Sequence, residues 1–78
     1  MTLDQTPVEK RVRILSLSNT GAMRRRLQEI GLTPGTVVEC VGKSPGKDPS
    51  AYLIRGAVIA IRADDAHGVE VTEEISWD

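Results

Sequence analysis

Few side chains in this sequence are equipped for bond-making chemistry. The 78 residues hold one His, one Cys, one Tyr and one Trp. No nucleophile stands in a motif with a base, and the G-x-x-x-x-G-K-[ST] pattern that wraps a phosphate in backbone N–H groups is missing. Ser44-Pro-Gly-Lys-Asp-Pro49 has neither that spacing nor a helix behind it, and reads as a hairpin loop. The candidate metal ligands are Asp64, Asp65 and His67, suitable donor types for a borderline divalent ion. One His beside two adjacent carboxylates is a thin ligand set. The segment reads first as a short helical turn between strands with acidic residues on its surface. Cys40 falls at an inward position of a strand, where a thiol packs as a small apolar group.

The one dense charge run is Arg24-Arg25-Arg26. On a helix, Arg25 opposes Met23 and Leu27, while Arg24 and Arg26 flank that apolar stripe. Their alkyl stems can cover apolar surface with the guanidinium groups in water. The run serves either solubility or recognition of an acidic or phosphate-bearing partner. Arg24, Arg25, Arg55 and Arg62 are the candidate partner-binding residues. With no aromatic neighbours, the run offers little stacking surface for nucleic acid.

Charge is unevenly distributed. The net charge is −1, but residues 1–30 carry +3, residues 31–62 carry +2 and residues 63–78 carry −6. Two readings follow, mutual neutralisation across a small fold or a dipolar surface that orients a partner. Net charge near zero and two aromatics oppose a dedicated nucleic-acid binder. Val, Ile and Leu supply 20 residues, enough for a small folded core. A single Cys excludes an internal disulfide framework, and no run of 18 apolar residues is present to span a membrane. MTLDQTPVEKR lacks the apolar stretch of a signal peptide, so the expected compartment is the cytoplasm.

Turn residues divide the chain into one slot of helical length and several of strand length. In the helical slot, Gly21 to Ile30, Met23, Leu27 and Ile30 share a face. Asn19 or Thr20 is the expected cap, and Gly31 the left-handed stop. Strands are expected at Glu9 to Leu17, Thr36 to Lys43, Ser50 to Arg55, Ala57 to Arg62 and Gly68 to Glu73. In the first, Leu15 and Leu17 break the parity of Val12 and Ile14, which predicts a bulge or burial on both sides. Five strands and one helix predict a mainly β SH3-like barrel with the helix plugging one end. The expected core is Val12, Ile14, Met23, Leu27, Ile30, Val38, Tyr52, Ile54, Ile59, Ile61, Val69 and Val71. The domain is expected over residues 10–73, after a flexible segment, 1–9, and before an acidic tail, 74–78.

Gly21-Ala-Met-Arg-Arg-Arg-Leu-Gln-Glu-Ile-Gly-Leu-Thr-Pro-Gly35 resembles the helix-and-turn signature of the FeoA family. The likeness runs on through Ser44-Pro45-Gly46, Asp48-Pro49, Tyr52 to Gly56, Ile59-Ala60-Ile61-Arg62, Ala66, Val69 and Val71, covering residues 10–72. At the front, Pro7-Val8-Glu9 replaces the family's Leu-rich opening that ends in Pro-Gly. The resemblance implies an SH3-like module of bacterial ferrous iron uptake, an interaction protein rather than an enzyme. It also implies a partner, the membrane ferrous-iron transporter with its cytosolic GTP-binding domain, which would recruit the chain to the inner membrane face. No cofactor is expected beyond weak divalent-metal binding. The alternatives are an Fe(II)- or divalent-metal-sensing domain acting through Asp64, Asp65 and His67, and a small nucleic-acid-binding barrel.

Overall fold

The structure, a computed structural model, describes residues 1–74. After a 3₁₀ turn at Leu3–Gln5 come β1 (Arg11–Leu17), α1 (Gly21–Glu29), β2 (Val37–Lys43), β3 (Ser50–Ile54), β4 (Ala57–Ile61), α2 (Ala63–Ala66) and β5 (Val69–Glu73). The strands form one antiparallel sheet in the order β4-β3-β2-β1-β5. The sheet bends at two register shifts, between Ile14 and Ser16 against β5 and between Cys40 and Gly42 against β3. The first is the bulge predicted by the parity break, and it leaves Leu15 exposed while returning Leu17 to the interior. This is the predicted SH3-like barrel.

Alternation fills its interior. Val12, Ile14, Val38, Cys40, Tyr52, Ile54, Ile61, Val69 and Val71 are buried, joined by Leu27 from α1. Leu3 from the 3₁₀ turn, Leu32 from the α1–β2 connection and Ala66 from the four-residue α2 complete the core, in segments too short for a period to point to them. Burial pushes the Tyr52 phenol pKa above its ordinary value, against a smaller lowering by the Ser50 hydroxyl.

The front of the chain departs from the expected flexible segment. Leu3 is 0% exposed and its carbonyl accepts a hydrogen bond from the Tyr52 hydroxyl at 3.3 Å. Thr2 bridges Glu70, the Val71 N–H donates to the Met1 carbonyl at 2.8 Å, and the Met1 ammonium lies 3.2 Å from the Glu70 carboxylate. Met1 and Thr2 therefore cover the outer edge of β5. The physical reason is one side chain: Leu3 supplies a fully buried plug that the barrel lacks without it.

Of the acidic tail, Glu74 forms a two-point ion pair with Arg13, at 2.7 and 3.0 Å. Residues 75–78, with Trp77, lie outside the described residues. Basic front and acidic end thus neutralise each other in part, as one of the two charge readings anticipates.

Candidate partner-binding cleft

Three residues expected in the core, Met23, Ile30 and Ile59, are only partly buried. They line a cleft of about 180 Å³ between α1 and β4. Leu27 and Ile61 complete its apolar wall, and Arg26, Arg62, Ala60 and Asp65 surround it. The periodic rule identifies residues that turn away from water, and it does not separate a filled interior from the side of a groove. Ile59 has inward parity, but it sits on the outermost strand, with no further strand beside it among the described residues.

The helix is placed by its ends. Thr20 is the N-cap but makes no side-chain cap bond, and Asn19 does not cap either. The Asn19 amide nitrogen instead donates to the Asp65 carbonyl at 3.0 Å, tying the β1–α1 connection to α2. Its Oδ1 is buried without a partner among the described residues. Gly68 permits this crossing, because a Cβ there would lie 2.6 Å from the Asn19 amide atoms. At the other end Gly31 has φ +112°, the expected left-handed stop, and a Cβ there would meet Ile54 and Arg55 at 3.0 Å.

The four candidate arginines separate. Arg24 turns back, and its Nη1 donates to the Leu17 carbonyl, with the Asn19 carbonyl 3.5 Å away. Arg55, in the β3–β4 turn, reaches Thr33 Oγ1 at 3.4 Å and lays its stem against Gly31. Arg25 is exposed on the solvent face of α1. Only Arg62 borders the cleft, opposite Arg26. Arg26 is the site residue the sequence reading leaves out, although its position flanking the apolar stripe is legible in the helical spacing. Neither Arg26 nor Arg62 has a carboxylate within ion-pair distance among the described residues.

The acidic segment folds as the expected short helical turn, α2. Asp48 Oδ1 accepts from the Ala63 N–H at its start, at 2.9 Å. Asp64 is exposed, Asp65 borders the cleft and His67 turns to Asp4, with Nδ1 3.4 Å from Oδ2. No group of three or more His, Cys, Asp or Glu among the described residues is placed to hold a metal ion. Asp64 and Asp65 diverge because successive residues of a helical turn point about 100° apart, and His67, at the C-cap, turns to Asp4 instead. Among the described residues no helix is long and apolar enough to cross a membrane.

The fold places the chain in the class of small SH3-like barrel domains. The FeoA domain profile matches residues 1–73, and the chain belongs to the FeoA family, which is linked to ferrous iron transport. The solution structure of FeoA from Chlorobium tepidum superposes with a TM-score of 0.90 at 26% identity, over 100% of this chain and 74% of that one. Iron(II) transport protein A from Clostridium thermocellum gives 0.90 at 29% identity, over 94% of this chain and 45% of that one. FeoA from Stenotrophomonas maltophilia, solved with zinc and described as an SH3 domain protein and a candidate activating factor of bacterial ferrous iron transport, gives 0.83 at 30% identity, over 92% of this chain and 89% of that one. No curated protein matches the sequence.

Proposed function

We propose that this chain is a non-catalytic interaction module of bacterial ferrous iron uptake. It docks on the cytosolic GTP-binding part of the membrane ferrous-iron transporter, is recruited by it to the inner membrane face, and modulates its activity or assembly. The observation that carries the reading is the FeoA match over residues 1–73, nearly the whole fold. The cleft between α1 and β4 offers a surface for a binding role. The metal-sensing alternative has no grouped ligand set among the described residues to support it.

The test is a calorimetric titration of the purified chain against the transporter's cytosolic GTP-binding domain, with GTP turnover followed in parallel. Saturable binding that alters turnover or self-association of that domain is the expected result. Absence of binding at both low and high salt would refute the proposal.

A further inference from the structure

The two outer strands of the sheet are treated differently. The free edge of β5 is covered by the chain's own Met1 and Thr2. The free edge of β4 pairs with no strand among the described residues. Its backbone polarity follows from the turn before it. Arg55 and Gly56 have φ of 49° and 84°, so a two-residue turn of the I′ kind joins β3 to β4. Such a turn makes Ile54 and Ala57 a mutually hydrogen-bonded pair, and alternation makes Tyr52–Ile59 and Ser50–Ile61 the next two. The N–H and C=O groups of Val58 and Ala60 therefore point away from the sheet. Neither residue has a backbone bond to any other element among the described residues.

Proteins usually blunt such an edge with Lys, Pro, a bulge or a covering loop. β4 reads Ala-Val-Ile-Ala-Ile, with no charge, no Pro and an unbroken register to β3. It is apolar on both faces. Val58 is 64% exposed on the outer face beside its cross-strand neighbour Leu53, and Ile59 and Ile61 form the cleft wall on the inner face. A strand laid along β4 would satisfy the outward backbone groups, cover Val58 and place alternate side chains over the cleft.

We propose that β4 takes up an extended partner segment as a sixth strand, one with apolar residues at alternate positions and at least one carboxylate. The inference rests on the docking function proposed above and assigns it a surface. The carboxylate follows from the cleft's charge, since Arg26 and Arg62 outnumber Asp65 at its border. A second copy of this strand does not supply that charge. The β4 strand of a second copy, Ala-Val-Ile-Ala-Ile, carries no carboxylate to meet Arg26 and Arg62. The occupant is therefore a segment of the transporter's cytosolic domain.

The experiment follows amide exchange in the full-length isotope-labelled chain, alone and with the purified GTP-binding domain. In the free chain the Val58 and Ala60 amides exchange openly. In the complex they slow at least tenfold. Ala60→Pro removes one outward N–H while leaving the ladder to β3 intact, and it weakens binding at least tenfold with an unchanged circular-dichroism spectrum. Should that variant unfold, Arg26→Glu combined with Arg62→Glu, both on exposed side chains, decides the matter by a tenfold weakening at low salt that shrinks at high salt. A complex that forms without protecting Val58 and Ala60 overturns this inference and leaves the docking function standing. No complex with the unaltered chain overturns both. Protection in the chain alone, with doubled mass in sedimentation, makes a second copy the occupant and overturns the partner-strand proposal.

Discussion

Leu3→Ala separates two views of the first nine residues. A flexible leader makes the substitution silent. The structure makes it a core deletion, because Leu3 is 0% exposed and packs with the barrel cluster. Truncating a buried Leu to Ala costs about 2–5 kcal/mol, depending on how far the site collapses. At about 0.05–0.15 kcal/mol per residue, the whole domain holds only about 4–12 kcal/mol. The loss therefore ranges from about a sixth of the total to all of it. At this chain length each kcal/mol lowers Tm by about 4–8 °C, so a loss of 2 kcal/mol moves it by about 8–16 °C. Urea denaturation followed by circular dichroism measures the free energy, and a thermal scan gives the Tm shift. The denatured chain re-exposes the same side chain, so the midpoint should fall with little change in slope. A change under about 0.5 kcal/mol, the range of ordinary surface substitutions, refutes the packing argument and restores the flexible leader.

Three further outcomes are expected. Gly68→Ala should lose about 1 kcal/mol or more in urea denaturation, since the new Cβ displaces Asn19 from the Asp65 carbonyl; equal stability would show that Asn19 moves aside freely. Burial raises the Tyr52 pKa in the folded chain, so on the alkaline side the unfolded state releases its proton first. Stability is then full below the ordinary tyrosine value of 10.0 and declines as pH rises from there through the raised folded value, and Tyr52→Phe should flatten that decline in a pH series of denaturation curves. Arg24→Glu should destabilise the fold by leaving the Leu17 carbonyl facing a carboxylate, whereas Arg25→Glu should leave the thermal midpoint within about 2 °C; equal effects would show that Arg24 is not a structural clamp.

The sequence announces the barrel because period-two alternation and turn residues are both local signals. Val69-Glu70-Val71 and the Arg55-Gly56 turn place their strands without reference to the rest of the chain. Gly31 marks the helix end for the same reason, since its positive φ is a property of one residue. Leu3, Leu32 and Ala66 are illegible by comparison, because each is buried by the path of the chain rather than by a period. Asn19 shows the limit of a local rule: its type and position suit a helix cap, and tertiary packing against α2 recruits it elsewhere. The metal candidates show the same limit, since Asp64, Asp65 and His67 are near neighbours in sequence and form no ligand group among the described residues.

The cleft was half legible, and the half that was missing follows from topology. The spacing of Met23, Leu27 and Ile30, and the parity of Ile59 and Ile61, identify every apolar wall of the groove. What turns these residues from core into surface is that β4 ends the sheet. Had β4 lain inside the sheet, a neighbouring strand would cover Ile59, and the outward groups of Val58 and Ala60 would be ladder bonds. Strand order is set by which hairpins close and by where the N-terminus lies, and the N-terminus is spent on β5 through Met1, Thr2 and Leu3. The buried leader and the open β4 edge are thus two consequences of one arrangement. Loosening the leader should expose a second edge at β5, so Leu3→Ala is expected to add concentration-dependent self-association to its loss of stability. Light scattering on folded Leu3→Ala at rising concentration checks this, and a monomer at all concentrations would show that β5 stays covered without its plug.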